Sequence, residues 1–128
     1  MLQWDKRYEL GYERIDAEHR ILLGLIIGFK EAEERGEPKE KLTSLLNEVA
    51  KYAAFHFVSE ESIMAEHHYP EQHEHTRMHN MLLAEAKDKC TQFELGYIGA
   101  NFVYEFLSSW FALHTTIDDK KLVRYFDM

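Results

Sequence analysis

An all-α fold, an up-down-up-down antiparallel four-helix bundle with an N-terminal arm, is what the sequence predicts, and three observations predict it. Four separate stretches repeat apolar residues at steps of three and four, the period of an amphipathic helix. Only two prolines and six glycines interrupt the 128 residues, which leaves room for long helices and argues against a many-turned β fold. The segments between the periodic stretches are short, and four helices so joined fold most simply as neighbours running alternately up and down. With 45% apolar residues the chain can bury one core. It reads as a single domain over 1–128, with an irregular arm over 1–14 and the bundle over 15–128.

The arm carries Trp4, Tyr8 and Tyr12, aromatic side chains suited to packing on the bundle. The first helix shows Ile15, His19, Leu22, Ile26 and Phe29 as its stripe, with Asp16 as the expected N-cap. Gly36 marks its end, and Pro38 fits the first turn of the next helix. That second helix places Leu45, Val49, Tyr52, His56, Glu60 and Ile63 on one face. It should stop before Pro70, because a proline disfavours the α region at the residue before it, Tyr69. A third helix, starting near Pro70, carries His75, His79, Leu82, Ala86 and Cys90. Gly96 and Gly99 mark the last connection, after which Val103, Phe106, Trp110 and His114 form the stripe of a fourth helix.

Composition excludes several functions. A formal charge of −8 offers no basic patch to neutralise phosphates, so neither nucleic acid nor an anionic membrane is expected as a partner. No apolar run reaches the ~18 residues of a membrane span. The start, Met1-Leu2-Gln3-Trp4-Asp5-Lys6-Arg7, lacks the charged-then-apolar order of a signal peptide. The single cysteine, Cys90, rules out an internal disulfide and suits a reducing compartment, so a cytoplasmic location is expected. Cys90 itself reads as a small buried apolar residue.

The chemistry lies in the histidines. Each stripe holds one where an apolar residue belongs: His19, His56, His79 (with His75) and His114. A buried imidazole without a partner costs on the order of 1–3 kcal/mol. Five of them in one core would exceed the roughly 5–15 kcal/mol of net stability that a domain has, and a shared metal site removes the difficulty. His56 and Glu60 are four residues apart, as are His75 and His79, which puts each pair about 40° apart on one helix face, one turn up.

The run His56-Phe57-Val58-Ser59-Glu60-Glu61-Ser62-Ile63-Met64, then Tyr69-Pro70, then His75-x-x-x-His79, resembles the central signature of hemerythrins. Ile15-Asp16-Ala17-Glu18-His19 upstream and Trp110-Phe111-Ala112-Leu113-His114 with Asp119 downstream extend the resemblance over nearly the whole chain, and Trp4 with Leu10-Gly11-Tyr12 is similar to the arm of bacterial members. The resemblance implies two Fe ions with an oxo or hydroxo bridge. His75, His79 and His114 would saturate one iron; His19 and His56 would bind the second and leave a position for O2; Glu60 and Asp119 would bridge the pair. On an ideal helix Asp119 lies about 140° from His114, whereas Asp118 shares its face. Following the family pattern to Asp119 requires a π-bulge or a helix end between Ala112 and Asp119.

Two residues depart from the family pattern: Glu18 stands where glutamine is usual, and Thr115 where isoleucine is usual. Both read as variation around the site without a ligand role. His67, His68 and His73 read as surface residues near the Pro70 turn. Met64 and Trp110, one turn from Glu60 and His114, read as core residues that also keep the site dry.

Five imidazoles are neutral, so the implied ligand set brings only the charges of Glu60 and Asp119 besides the bridging group. Carboxylate-rich di-iron oxidases use Glu-x-x-His pairs that favour high-valent iron, and no such pair stands at the ligand positions. A less anionic site favours ferrous iron and reversible O2 binding, and the resemblance implies a non-enzymatic protein for O2 carriage, storage or sensing, expected to be a monomer. The alternatives are a di-iron redox enzyme acting on peroxide or nitric oxide, and an iron-handling protein. Iron itself rests on the resemblance, because imidazole also suits zinc, copper and nickel.

Overall fold

The computed structural model describes residues 2–127; Met1 and Met128, the ends of the expected domain, lie outside them. A 3-10 turn (Lys6–Tyr8) in the arm precedes α1 (Glu13–Glu34), α2 (Lys39–Glu66), α3 (Gln72–Glu94) and α4 (Ala100–Leu113). The fourth rod does not end at Leu113. It passes through a π-helical segment (His114–Asp119) directly into α5 (Lys120–Phe126). No strand occurs among the described residues, and none of the helices is long and apolar enough to cross a membrane.

α1 packs on α2 and α4, α2 on α3, and α3 on α4, which closes the four-helix bundle. Two apolar clusters fill it. The larger contains Leu22, Ile26 and Phe29 of α1, Leu46, Val49 and Phe57 of α2, Phe93 of α3, and Leu107 and Phe111 of α4. The smaller, at the other end, joins Ile15, Ile63, Met64 and Tyr69 to Leu122 and Val123 of α5. Burying each large side chain contributes about 1.5–3 kcal/mol. The expected ligand positions fall in the layer between these clusters, so apolar packing above and below holds the polar residues in place.

Several boundaries differ from expectation. α1 begins at Glu13, and Asp16 is not its N-cap; it sits in the first turn and accepts the backbone N–H of Leu10 (2.8 Å) and Gly11 (3.0 Å). The same carboxylate chemistry that caps a helix here ties the arm to it, so the irregular segment ends at Tyr12. Pro38 caps α2 and does not enter its first turn, and α3 begins at Gln72. On α2 the inward face is centred on Leu46, Val49 and Ala53, leaving Leu45 and Tyr52 at its half-buried edge.

α1, α2 and α3 end in one motif. After α1, Gly36 (φ 76°) donates to Glu33 and Glu37 donates to Ala32; after α3, Gly96 (φ 84°) donates to Phe93 and Tyr97 to Gln92. These are Schellman bonds, with glycine in the left-handed position that closes the motif. After α2 the same two bonds form, His68 to Ala65 and Tyr69 to Met64, but the left-handed residue is His68 (φ 52°).

Candidate metal centre

All seven expected ligand positions meet in the layer between the two cores. His19 comes from α1, His56 and Glu60 from α2, His75 and His79 from α3, and His114 and Asp119 from the two ends of the π segment; every one is buried. A π segment closes its turn over five residues where an α-helix needs four. That brings Asp119 back to the face of His114, with Oδ1 at 3.1 Å from His114 Nε2, and leaves Asp118 behind the ring at Nδ1, 3.3 Å away.

The donor atoms form two groups. Glu60, His75, His79, His114 and Asp119 make one; His19, His56, Glu60 and Asp119 make the other, and within each the donor atoms lie inside 4.8 Å of one another. Glu60 and Asp119 belong to both. Glu60 Oε1 lies 2.6 Å from His75 Nε2 and 2.9 Å from His79 Nε2, while Oε2 is 3.4 Å from His56 Nε2. Asp119 Oδ2 lies 2.8 Å from His19 Nε2.

Donor geometry separates a metal site from an ion-pair network. Both oxygens of Asp119, Glu60 Oε2 and His114 Nε2 are buried without a hydrogen-bond partner, although nitrogen and oxygen stand close. His19 and His56 turn their Nε2 atoms toward each other at 3.1 Å. Unsatisfied buried acceptors on this scale are rare in folded proteins. Lone pairs that converge on two common points, with only Glu60 Oε1 and the His19–His56 pair engaged by hydrogen bonds, fit cations coordinated between them.

Without a cation, the same groups hold one another as ion pairs. Burial would neutralise these groups, but the mutual attraction of imidazolium and carboxylate prevails in the metal-free chain. Desolvation lowers the pKa of His56, yet the hydrogen bond to Glu18 and the nearby Glu60 carboxylate raise it to about 9. His75 is likewise raised to about 9 against desolvation by Asp119 and Glu60, and His114 to about 10 by Asp119 and Asp118. Glu60 is lowered to about 2 against its burial and the charge of Asp119, by the adjacent His56 and by hydrogen bonds from His75 and His79.

A second layer of contacts lies behind the imidazoles. Nδ1 of His56 meets Glu18 Oε1 at 2.7 Å, and Nδ1 of His79 meets Glu61 Oε2 at 2.9 Å. Phe57 stacks on His79 with ring centres 4.2 Å apart and planes 10° apart, and Phe111 stands edge-on to His19 at 5.9 Å. Trp110 is buried, with its indole N–H donating to the Leu82 carbonyl at 3.0 Å. Sequence reasoning missed Phe57, Glu61 and the contact made by Glu18. Position next to a ligand was the signal available for Phe57 and Glu61. Nothing in the spacing shows that Glu18 of one helix reaches His56 of another.

His67, His68 and His73 are exposed and belong to neither donor group. Cys90 is half-buried, its Sγ 3.8 Å from the Leu46 carbonyl, and burial pushes its thiol up to about 11, away from thiolate reactivity.

The family model for the hemerythrin HHE cation binding domain matches residues 10–126. Among curated relatives, a bacteriohemerythrin of Stenotrophomonas maltophilia is 25% identical over 94% of this chain and 78% of its own length. A bacteriohemerythrin of Clostridium acetobutylicum is 26% identical over 96% and 99%. A myohemerythrin of Theromyzon tessulatum is 32% identical over 61% of this chain and 59% of its own.

Proposed function

The chain belongs to the hemerythrin family, and on that premise we propose that its histidine–carboxylate cluster holds two irons and binds O2 reversibly, for carriage, storage or sensing. The observation that carries the reading is the pair of donor groups sharing Glu60 and Asp119. In this assignment His75, His79 and His114 would hold one iron, His19 and His56 the other, and Glu60 and Asp119 would serve both. The second group brings one imidazole fewer, and that difference supports the coordination position for O2 on the His19/His56 side.

Iron held by these residues would supply the redox chemistry of reversible O2 binding. The protein's part is to hold the ligands at fixed separations and keep the chamber dry. Phe57 lies against His79 and His114 and Phe111 against His19, with Trp110 behind Phe57 and Met64 buried in the smaller core. Such walls admit a small apolar gas and disfavour charged reactants.

The test is an O2 titration of the reduced, iron-loaded protein. A visible charge-transfer band that appears under O2 and disappears on deoxygenation over repeated cycles is expected. Oxidation in one pass, with catalytic consumption of peroxide or nitric oxide, would assign a redox enzyme instead. Zinc without iron after iron-replete expression would end both iron readings.

A further inference from the structure

Three imidazoles of the cluster have a carboxylate at Nδ1, on the side away from the donor groups: Glu18 at His56, Glu61 at His79 and Asp118 at His114. Their settings differ. The side chain of Glu18 is 9% exposed, against 26% for Glu61 and 34% for Asp118. Solvent screens the outer two, while the charge of Glu18 acts through a medium of low polarity. Glu18 is also fixed at both oxygens: Oε1 accepts from His56 Nδ1 at 2.7 Å, and Oε2 accepts from Ser59 Oγ at 2.8 Å, with Arg14 Nε at 3.4 Å. The other imidazole of the same donor group, His19, has no protein partner at Nδ1. The smaller donor group therefore has one carboxylate-backed imidazole, and its backing is the most buried of the three.

We propose that Glu18 is a positioning residue that sets the electron affinity of the His19/His56 half of the centre. It fixes the His56 ring with Nε2 toward the metal and, by holding the Nδ1 proton, makes the imidazole a stronger donor, which favours the oxidised ion. The proposal rests on the di-iron reading above. It also changes the charge balance expected from the ligands alone, because the most buried of the three outer carboxylates acts on the centre from one ring away.

Glu18→Gln keeps the size of the side chain and an oxygen for His56 Nδ1, removes the charge, and replaces the acceptor facing Ser59 and the exposed Arg14 with an N–H that the Ser59 hydroxyl can accept. Glu18→Ala removes the support as well. In the iron-loaded protein, Glu18→Gln is expected to shift the one-electron equilibrium about tenfold toward reduced iron, a rise of about 59 mV for a one-electron couple. In the metal-free protein, Glu18→Ala is expected to weaken zinc about 10- to 100-fold in a chelator competition, and Glu18→Gln is expected to recover most of that loss. A wild-type potential in Glu18→Gln overturns the electronic role, and wild-type zinc affinity in Glu18→Ala overturns the positioning role. If the wild-type protein fails to bind O2 reversibly while both shifts are seen, the O2 reading falls and the role of Glu18 stands.

Discussion

Asp118 and Asp119 are neighbours with opposite surroundings. Asp119 is fully buried, with its oxygens within 3.4 Å of His19, His75 and His114, whereas Asp118 is half-buried and meets His114 from behind, at Nδ1. Asp119→Ala removes a donor from both groups, so iron content is expected to fall to background. Asp118→Ala is expected to keep two irons per chain and weaken metal binding about tenfold, the usual effect of losing a carboxylate behind a ligand histidine. Iron analysis on the two purified variants decides it, and the reverse ranking would move the bridge to Asp118. The histidines give the matching contrast. His56→Ala is expected to abolish the O2-dependent band, and His73→Ala, at an exposed position outside both groups, to leave it unchanged.

The elements explain which of these facts the sequence could carry. His19, His56, His79 and His114 were legible because each interrupts an apolar stripe, and a stripe reports which way a helix faces. Asp119 was legible only through the family pattern, since its spacing from His114 contradicts an α-helix and the π segment resolves the conflict. The contact between Glu18 and His56 was not legible, because it depends on how α1 and α2 are set against each other. The end of α2 was legible as a stop but not in its geometry: Gly36 and Gly96 announce their left-handed turns, whereas His68 takes the same conformation with a side chain that disfavours it. That strain gives a prediction at this scale. A left-handed residue other than glycine costs roughly 1–2 kcal/mol, and glycine's freedom in the unfolded chain cancels part of the relief. His68→Gly is therefore expected to stabilise the protein by about 0.5–1 kcal/mol in urea unfolding, without altering metal content. Destabilisation would mean that the His68 side chain makes contacts that outweigh the strain.

For the whole molecule, the buried centre couples folding, protonation and metal binding. In the metal-free chain His56, His75 and His114 have pKa values above the ordinary 6.5, so their contribution to stability is complete below that value and declines as pH rises toward about 9 to 10. Glu60 is lowered from the ordinary 4.5 to about 2, so its contribution is complete above 4.5 and is lost as pH falls through that interval. The two signs together place the greatest stability of the metal-free protein between about pH 4.5 and 6.5. Metal reverses the alkaline trend, because a bound ion needs the imidazoles without their protons. Each proton displaced makes metal binding more favourable by about 1.4 kcal/mol per pH unit, and with three such imidazoles the gain from metal should steepen across the neutral range. Thermal melts with and without zinc, from pH 6 to pH 9, are expected to separate progressively, the metal-free midpoint falling while the stabilisation by zinc grows. Calorimetry in buffers of different ionisation enthalpy should show protons released on zinc binding at pH 7. A zinc stabilisation that stays constant over that range, with no proton release, would mean that the imidazoles are already neutral in the metal-free protein. The ion pairs to Glu60 and Asp119 would then not be what holds the empty centre together.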